Sequence, residues 1–571
     1  MAAKDFEVSA EPVTDQRFPW VSFAMVLSVA LLFRLLQLNH APHFDEFYHL
    51  LAANSLLGDG DMCIAECLYP YDRGAGFTYL VAGAVGLFGS SLVVARLVSV
   101  LAGVLLIAGV FWWSWRAAGT TAAWAAALLL GLSPEAIYVS QFIRFYAWHA
   151  LLIWIGGAGL FFAVHPTSRP RSILRWRLGL AGLGVLALLG ALSLQITTGI
   201  AIVGIAAWLL LDPIASWLVR EVRHRPWRVA ASAVGVFVVA ATAVLIAFRT
   251  DLAADLWSRY RAVNMFEVAQ AWNTLYYHQL LLETYPTLYS LLPVAFVIAL
   301  WKRPAAAKYC AGVFGVALVL QSGGGFKGAR FLFYAMPFFF AIWGIALATV
   351  LPPLVAGARQ AMASWLDCGE RSRLAATGGA LLLGLVAVSL VGTNSAYVTT
   401  IRMATLSDSE FPSHQERYRG RPEWRPAVET IKAISDTADV VVTSASVKAL
   451  YYLGRSDAEL DASHLFTRSG FMPDYSLDWR VGRPVIRSAE SMARLLSCHS
   501  NGLIVIENHA WARDWGVLPE NAEYIAENTE ELPLPDGSDL RLFRWGPDTH
   551  EASEECITEP LAEARRAGVT E

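Results

Sequence analysis

Apolar runs recur along the first four hundred positions, each near the ~20 residues that a helix needs to cross ~30 Å of hydrocarbon. They cover 19–38, 91–113, 119–137, 147–164, 178–194, 198–212, 228–248, 285–301, 307–321, 331–350 and 375–397, each bounded by charge, proline or glycine. This pattern predicts about eleven membrane spans. A further apolar stretch, 77–88, is about a dozen residues and too short to cross, so it is read as a helix lying along the interface. Beyond position 398 the pattern changes to short apolar strands alternating with amphipathic helices. Helices are expected over 424–438 and 447–453 and strands over Val440–Thr443, 503–506 and Leu540–Trp545, an α/β domain.

Composition agrees. The chain of 571 residues is 56% hydrophobic and 16% charged, which excludes a soluble cytosolic enzyme and a single-anchor protein. A net charge of -4 leaves no basic footprint for nucleic acid. Where the bases fall matters more than their sum. With 77–88 not spanning, the basic loops 165–177 (Arg169, Arg171, Arg175, Arg177), 220–228 and 301–308 (Lys302, Arg303, Lys308) share one side, which the positive-inside rule makes cytoplasmic. The acidic loop 39–90, the loop 249–284 and the C-terminal region then fall outside. The N-terminus disagrees mildly, since Lys4 and Arg17 are outnumbered by Asp5, Glu7, Glu11 and Asp15. The first apolar run is too long for a signal-peptide core and reads as a retained signal-anchor. The expected plan is therefore a cytoplasmic tail (1–18), a transmembrane domain (19–398), an extracytoplasmic α/β domain (399–548) and a disordered tail (549–571), in a plasma (inner) membrane.

Cys63, Cys67, Cys498 and Cys556 fall on the outer side, where disulfides persist. They pair as Cys63–Cys67 and Cys498–Cys556 or stay as buried thiols.

The informative polar residues collect on the outer side. After the first span comes Asn39-His40-Ala41-Pro42-His43-Phe44-Asp45-Glu46-Phe47-Tyr48-His49. A carboxylate beside low-dielectric surroundings suits a general base, whereas an acidic pair also caps a helix N-terminus. His43 and His49 offer nitrogen ligands for a divalent metal, or are interfacial histidines without one. Asp59-Gly60-Asp61 has the form of a metal-chelating motif but reads as a turn. The third span ends in Ser140-Gln141-Phe142-Ile143-Arg144-Phe145-Tyr146. Arg144 is a candidate phosphate ligand with Tyr146 beside it, or a snorkelling Arg in an aromatic belt. Gly323-Gly324-Gly325-Phe326-Lys327-Gly328-Ala329-Arg330 reaches the same side and reads as a phosphate cradle through Lys327 and Arg330, or as a flexible turn. Gln195 and Thr197, with His278 and Glu283, are candidate sugar-binding residues; the bland alternative for the latter pair is an interfacial amphipathic helix.

These segments together resemble the GT-C glycosyltransferases, in the bacterial branch related to protein O-mannosyltransferases and the lipid A aminoarabinose transferase. The resemblance runs through most of the membrane domain. Phe44-Asp45-Glu46-Phe47-Tyr48-His49, Phe88-Gly89-Ser90-Ser91-Leu92-Val93-Val94-Ala95-Arg96-Leu97, Ser140-Gln141-Phe142-Ile143-Arg144-Phe145-Tyr146 and Arg330-Phe331-Leu332-Phe333-Tyr334-Ala335-Met336-Pro337 carry it. It implies inverting transfer of a sugar from a polyprenyl-phosphate donor to a glycan, lipid or protein acceptor at the extracytoplasmic face. Asp45 takes the place of the base and Glu46 its companion, while Arg144 is a donor-phosphate ligand and Arg330 a second. No cofactor is required by this chemistry, although a divalent metal remains open. Many relatives have a His in the region that aligns with Gln195-Ile196-Thr197, where this chain has Gln195, and an acidic residue near the Arg144 motif, where this chain has His149. The rival readings are a transporter or flippase of a lipid-linked sugar and a non-catalytic membrane partner. For the C-terminal domain, a lid, an acceptor-binding role and a scaffold stay open.

Overall fold

The computed structural model describes residues 17–65, 70–165, 173–210, 272–365, 371–411, 418, 421–460, 466–467, 470–471, 473–478 and 481–546. The span expected over 228–248, the tail 549–571, and Cys67, Cys368 and Cys556 lie outside them.

The helices are α1 (Trp20–Leu35), α2 (Phe44–Gly58), α3 (Ala75–Phe88), α4 (Leu92–Ala118), α5 (Thr120–Gly131), α6 (Pro134–Ser140), α7 (Tyr146–Val164) and α8 (Ile173–Leu194). After them come α9 (Thr198–Leu210), α10 (Tyr276–Thr284), α11 (Pro286–Ser290), α12 (Leu292–Lys302), α13 (Pro304–Gly323), α14 (Met336–Trp365), α15 (Arg371–Thr393) and α16 (Ser395–Thr405).

Among the described residues five helices are long and apolar enough to cross a membrane, or seven if each bent pair is one span. The count of eleven is therefore not reached there. Two expected spans are bent, at 67° between α5 and α6 and at 86° between α15 and α16. Three more, over 19–38, 198–212 and 285–301, are helices of only 10–17 residues or broken pieces. Proline accounts for much of this breakage. Pro134, Pro286 and Pro304 each open a new helix, where a missing N–H costs nothing and the preceding residue is pushed out of the helical region. Asn394 caps the other break: its Nδ2 donates to Leu390 O and its Oδ1 accepts from Leu288 N.

The chain divides into two compact units. The first holds residues 1–36, 99–141 and 145–405, and its described elements are helices. Buried arginine organises its start: Arg34, in α1, donates through Nη1 to Gly131 O at 3.0 Å and through Nε to Ser140 Oγ at 3.1 Å. Gln141 Nε2 in turn donates to Arg34 O and Leu36 O, satisfying carbonyls that the end of α1 leaves open. Gly103 is required here, because a Cβ would lie 2.1 Å from Ser140 Oγ.

The second unit holds residues 37–98, 142–144 and 406–571. Its later part contains helices α17 (Val428–Ser435), α18 (Ser446–Tyr452), α19 (Ala489–Cys498) and α20 (Pro519–Asn528). Its strands are β1 (Val440–Thr443), β2 (Ala458–Glu459), β3 (Phe466–Thr467), β4 (Gly470–Phe471), β5 (Gly502–Glu507), β6 (Glu530–Leu532) and β7 (Leu540–Trp545). Five of them form one sheet, ordered β2-β1-β5-β7-β6, in which β2, β1 and β5 are parallel and β7 runs antiparallel to β5. All of β1 and β5 is buried, which is why both read as unbroken apolar runs. The sheet packs Val442, Ile504 and Phe543 on one face with Leu495 and Ile525, and Val441, Leu503 and Leu542 on the other with Trp424 and Ile431.

The division departs from the sequence plan, because the first loop belongs with the C-terminal residues. Phe47 of α2 meets Tyr451 and Tyr452 of α18 at ring-centroid distances of 5.0 and 5.6 Å. Asp408 Oδ2 accepts from Ala41 N at 2.8 Å, and Arg425 Nη1 donates to Asn39 O at 2.7 Å. The 77–88 stretch forms α3, packed on α2. Cys63 and Cys498 each take part in a disulfide, and Cys310 is a buried free thiol.

Candidate active site

Helix α2 begins in a capping box built from the residues that the sequence marks as chemical. His43 is the N-cap: its Nδ1 accepts from Asp45 N at 3.0 Å, and Glu46 Oε1 accepts from His43 N at 3.0 Å. Asp45 stands in the first helical turn, 9% exposed, where the N-terminal dipole favours a carboxylate. It lies 3.8 Å from His43 Nδ1.

Glu46, expected as a catalytic companion, has another task. Its carboxylate is clamped by Arg96, Nε to Oε2 and Nη2 to Oε1, both at 2.8 Å, with both side chains buried. Arg96 Nη1 also donates to Leu38 O and His40 O. Glu46 Oε2 accepts a further bond from Ile143 N at 3.2 Å. A bidentate carboxylate with extra backbone donors on both oxygens is poorly placed to exchange protons with a substrate. Its bonds instead hold α2, α4 and the 142–144 segment together. Arg96 has a warning sign in sequence, a lone guanidinium in an apolar run, but no spacing names its partner.

The clamp on Ile143 sets the adjacent Arg144, which is 2% exposed. Arg144 Nη1 donates to Tyr71 Oη at 2.7 Å. Tyr71 stacks on Tyr48 at 5.6 Å and 16° and lies 3.4 Å from His49 Nε2. His49 Nδ1 meets Thr78 Oγ1 at 2.9 Å. Burial, helped by Arg144 and Arg73, holds the His49 imidazole well below its ordinary value, and Asp45 opposes this more weakly. One neutral ring thus feels the carboxylate and the guanidinium at once. Tyr71 and Thr78 carry no recognisable motif and were not legible as site residues.

The first unit carries the other candidates. Lys327, expected on phosphate, is buried and donates to Gln321 O at 3.1 Å and Ser322 O at 2.6 Å, so it caps the end of α13. Desolvation pulls its ammonium below the usual lysine range. Arg330 lies with its guanidinium 6.0 Å from the Tyr146 ring and 5.3 Å from Phe331. Gln195 and Thr197 are half-exposed beside Thr198, the buried residue of the three, whose Oγ1 meets His149 Nε2 at 2.9 Å. His278 meets Tyr289 Oη at 2.5 Å, and Glu283 is exposed on α10. Among the described residues no three His, Cys, Asp or Glu converge on a metal-sized site.

No family model and no curated protein matches the chain. Solved structures do. ArnT from Cupriavidus metallidurans bound to undecaprenyl phosphate superposes with a TM-score of 0.56 at 15% identity, over 92% of this chain and 97% of that one. Its apo state gives 0.52 at 15% identity, over 94% and 99%. The archaeal oligosaccharyltransferase AglB from Archaeoglobus fulgidus, in complex with an inhibitory peptide and a dolichol-phosphate, gives 0.52 at 13% identity, over 86% and 70%. These likenesses show that the chain shares the fold of ArnT and AglB.

Proposed function

We propose that the chain is an integral membrane glycosyltransferase. It moves a sugar from a polyprenyl-phosphate donor to an acceptor hydroxyl on a glycan, lipid or protein at the extracytoplasmic face, with inversion. The observation that carries this reading is the cluster of Asp45, His49, Tyr71 and Arg144, a carboxylate and a guanidinium acting on one buried imidazole. In the step proposed, Asp45 takes the acceptor hydroxyl proton as the oxygen attacks the anomeric carbon. The bond from that carbon to the phosphate oxygen breaks, and the lipid phosphate leaves with the electron pair. Fixed positive charge lowers the barrier most where negative charge develops, and Arg144 supplies it on the leaving phosphate. Support from outside the chain is the fold, found in proteins bound to undecaprenyl phosphate and to dolichol-phosphate.

The test offers purified protein a panel of radiolabelled polyprenyl-phosphate sugars and counts released lipid phosphate. Asp45→Asn should lower release by about 10²–10⁴, the weight of a general base, with an unchanged thermal midpoint. Glu46→Gln should lower the midpoint instead, since it weakens a buried ion pair. Undiminished release from Asp45→Asn removes it from the mechanism. Lipid that crosses vesicles without any release favours the flippase.

A further inference from the structure

The carboxyl ends of the parallel strands in the second unit form a built polar edge that the transfer step does not use. From β1 the chain goes to β2 on one side and returns on the other as β5. Connections diverge at the β1–β5 pair, and in open α/β sheets ligands settle in the crevice outside the carboxyl ends at such a point.

Glu507 closes β5 there, 6% exposed. Its Oε1 accepts from Trp424 Nε1 at 2.7 Å and Lys448 Nζ at 2.6 Å, and its N–H donates to Ser444 Oγ at 2.9 Å. Oε2 lies 3.8 Å from Nδ1 of His509, whose ring leans on Trp515 at 5.4 Å and 39°. Trp515 is 51% exposed.

The loop that presents this indole is tied to itself. Arg513 N donates to Val517 O, Gly516 N to Arg513 O, and Val517 N to Ala510 O. Gly516 admits no side chain, since a Cβ would lie 2.6 Å from Ala510 O. Beneath the loop Trp511 stacks on Phe543 at 5.0 Å and 17°, with Arg541 over its ring. A large exposed aromatic is thus held rigidly beside an imidazole and an anchored carboxylate.

We infer that this edge is a sugar-binding subsite. A pyranose has an apolar C–H face and a rim of hydroxyls. Trp515 matches the face and His509, with its side chain 51% exposed, matches the rim, while Glu507 stays behind the imidazole on Lys448 and Trp424. The inference does not rest on the transfer reading, because binding is read without a donor.

The experiment is saturation-transfer NMR on the full chain in nanodiscs, with maltotriose, chitotriose and mannotriose as probes. Transfer to the ring C–H protons of at least one trisaccharide is expected. Trp515→Ala should weaken binding about tenfold, as loss of one aromatic contact would, and Trp515→Tyr should largely restore it. No transfer to any of the three, or transfer unchanged in Trp515→Ala, overturns the inference. So does quenching by brominated acyl chains of the fluorescence that separates wild type from Trp515→Ala, which would assign the indole to the bilayer.

Discussion

His49 is held neutral between a carboxylate and two guanidinium groups, and that state has a pH signature. Its folded value lies well below the ordinary 6.5 that it regains on unfolding. Below about pH 6.5 the unfolded chain therefore binds a proton that the folded chain refuses. The stability from neutral His49 is present above that value and is lost as pH falls toward the lowered one, by up to about 1.4 kcal/mol per pH unit. Thermal unfolding in detergent between pH 7 and pH 5 should show a falling midpoint, with a shallower fall in His49→Gln; equal slopes would show that His49 is not the group responsible. At this scale the sequence was half legible. Asp45 and Arg144 stand in recognisable motifs, but Glu46 looks like a second acid until Arg96, 50 residues away, is seen holding both its oxygens.

At the scale of elements, α2 is held at both ends of its chemistry. The capping box and Arg96 fix its start, and Phe47 fixes its side against α18 through Tyr451 and Tyr452. Phe47 is fully buried, so Phe47→Ala should cost about 3–5 kcal/mol. Lipid-phosphate release should fall with it, although Phe47 touches no proposed reacting atom. Limited proteolysis and a thermal midpoint read the first effect, and the release assay reads the second. A variant as stable and active as wild type would show that the α2–α18 contact does not position the base. Elements of strong local signal were found from sequence: β1 and β7 have the expected limits, and α18 is shifted by one residue. The strands β2, β3, β4 and β6 were missed, since two or three residues carry no period.

For the whole molecule, the charge pattern predicts a sidedness. The positive-inside rule predicts the 165–177 loop in the cytoplasm and the sheet domain outside. In a background without other reactive cysteines, Ser538→Cys should react with an impermeant maleimide in intact cells, and Ser172→Cys only after permeabilisation. The reverse pattern would move Asp45 and Arg144 to the wrong face for an extracytoplasmic donor.

Hydrophobic period and charge placement are properties of neighbouring residues, so the sequence alone determined the helical membrane class, the α/β character of the later residues and the segments that hold the candidate base and phosphate ligand. Only the tertiary structure could join Asn39 to Arg425 and Ala41 to Asp408, 386 and 367 residues apart, and so gather the first loop with the sheet domain in one compact unit. The same holds for Glu46 and Lys327, whose roles rest on distant guanidinium groups or on helix-end carbonyls. A charged side chain advertises its chemistry locally, but its partner is chosen by packing. Burial then forces the pairing, because an unpaired charge removed from water costs more than a marginally stable fold can bear.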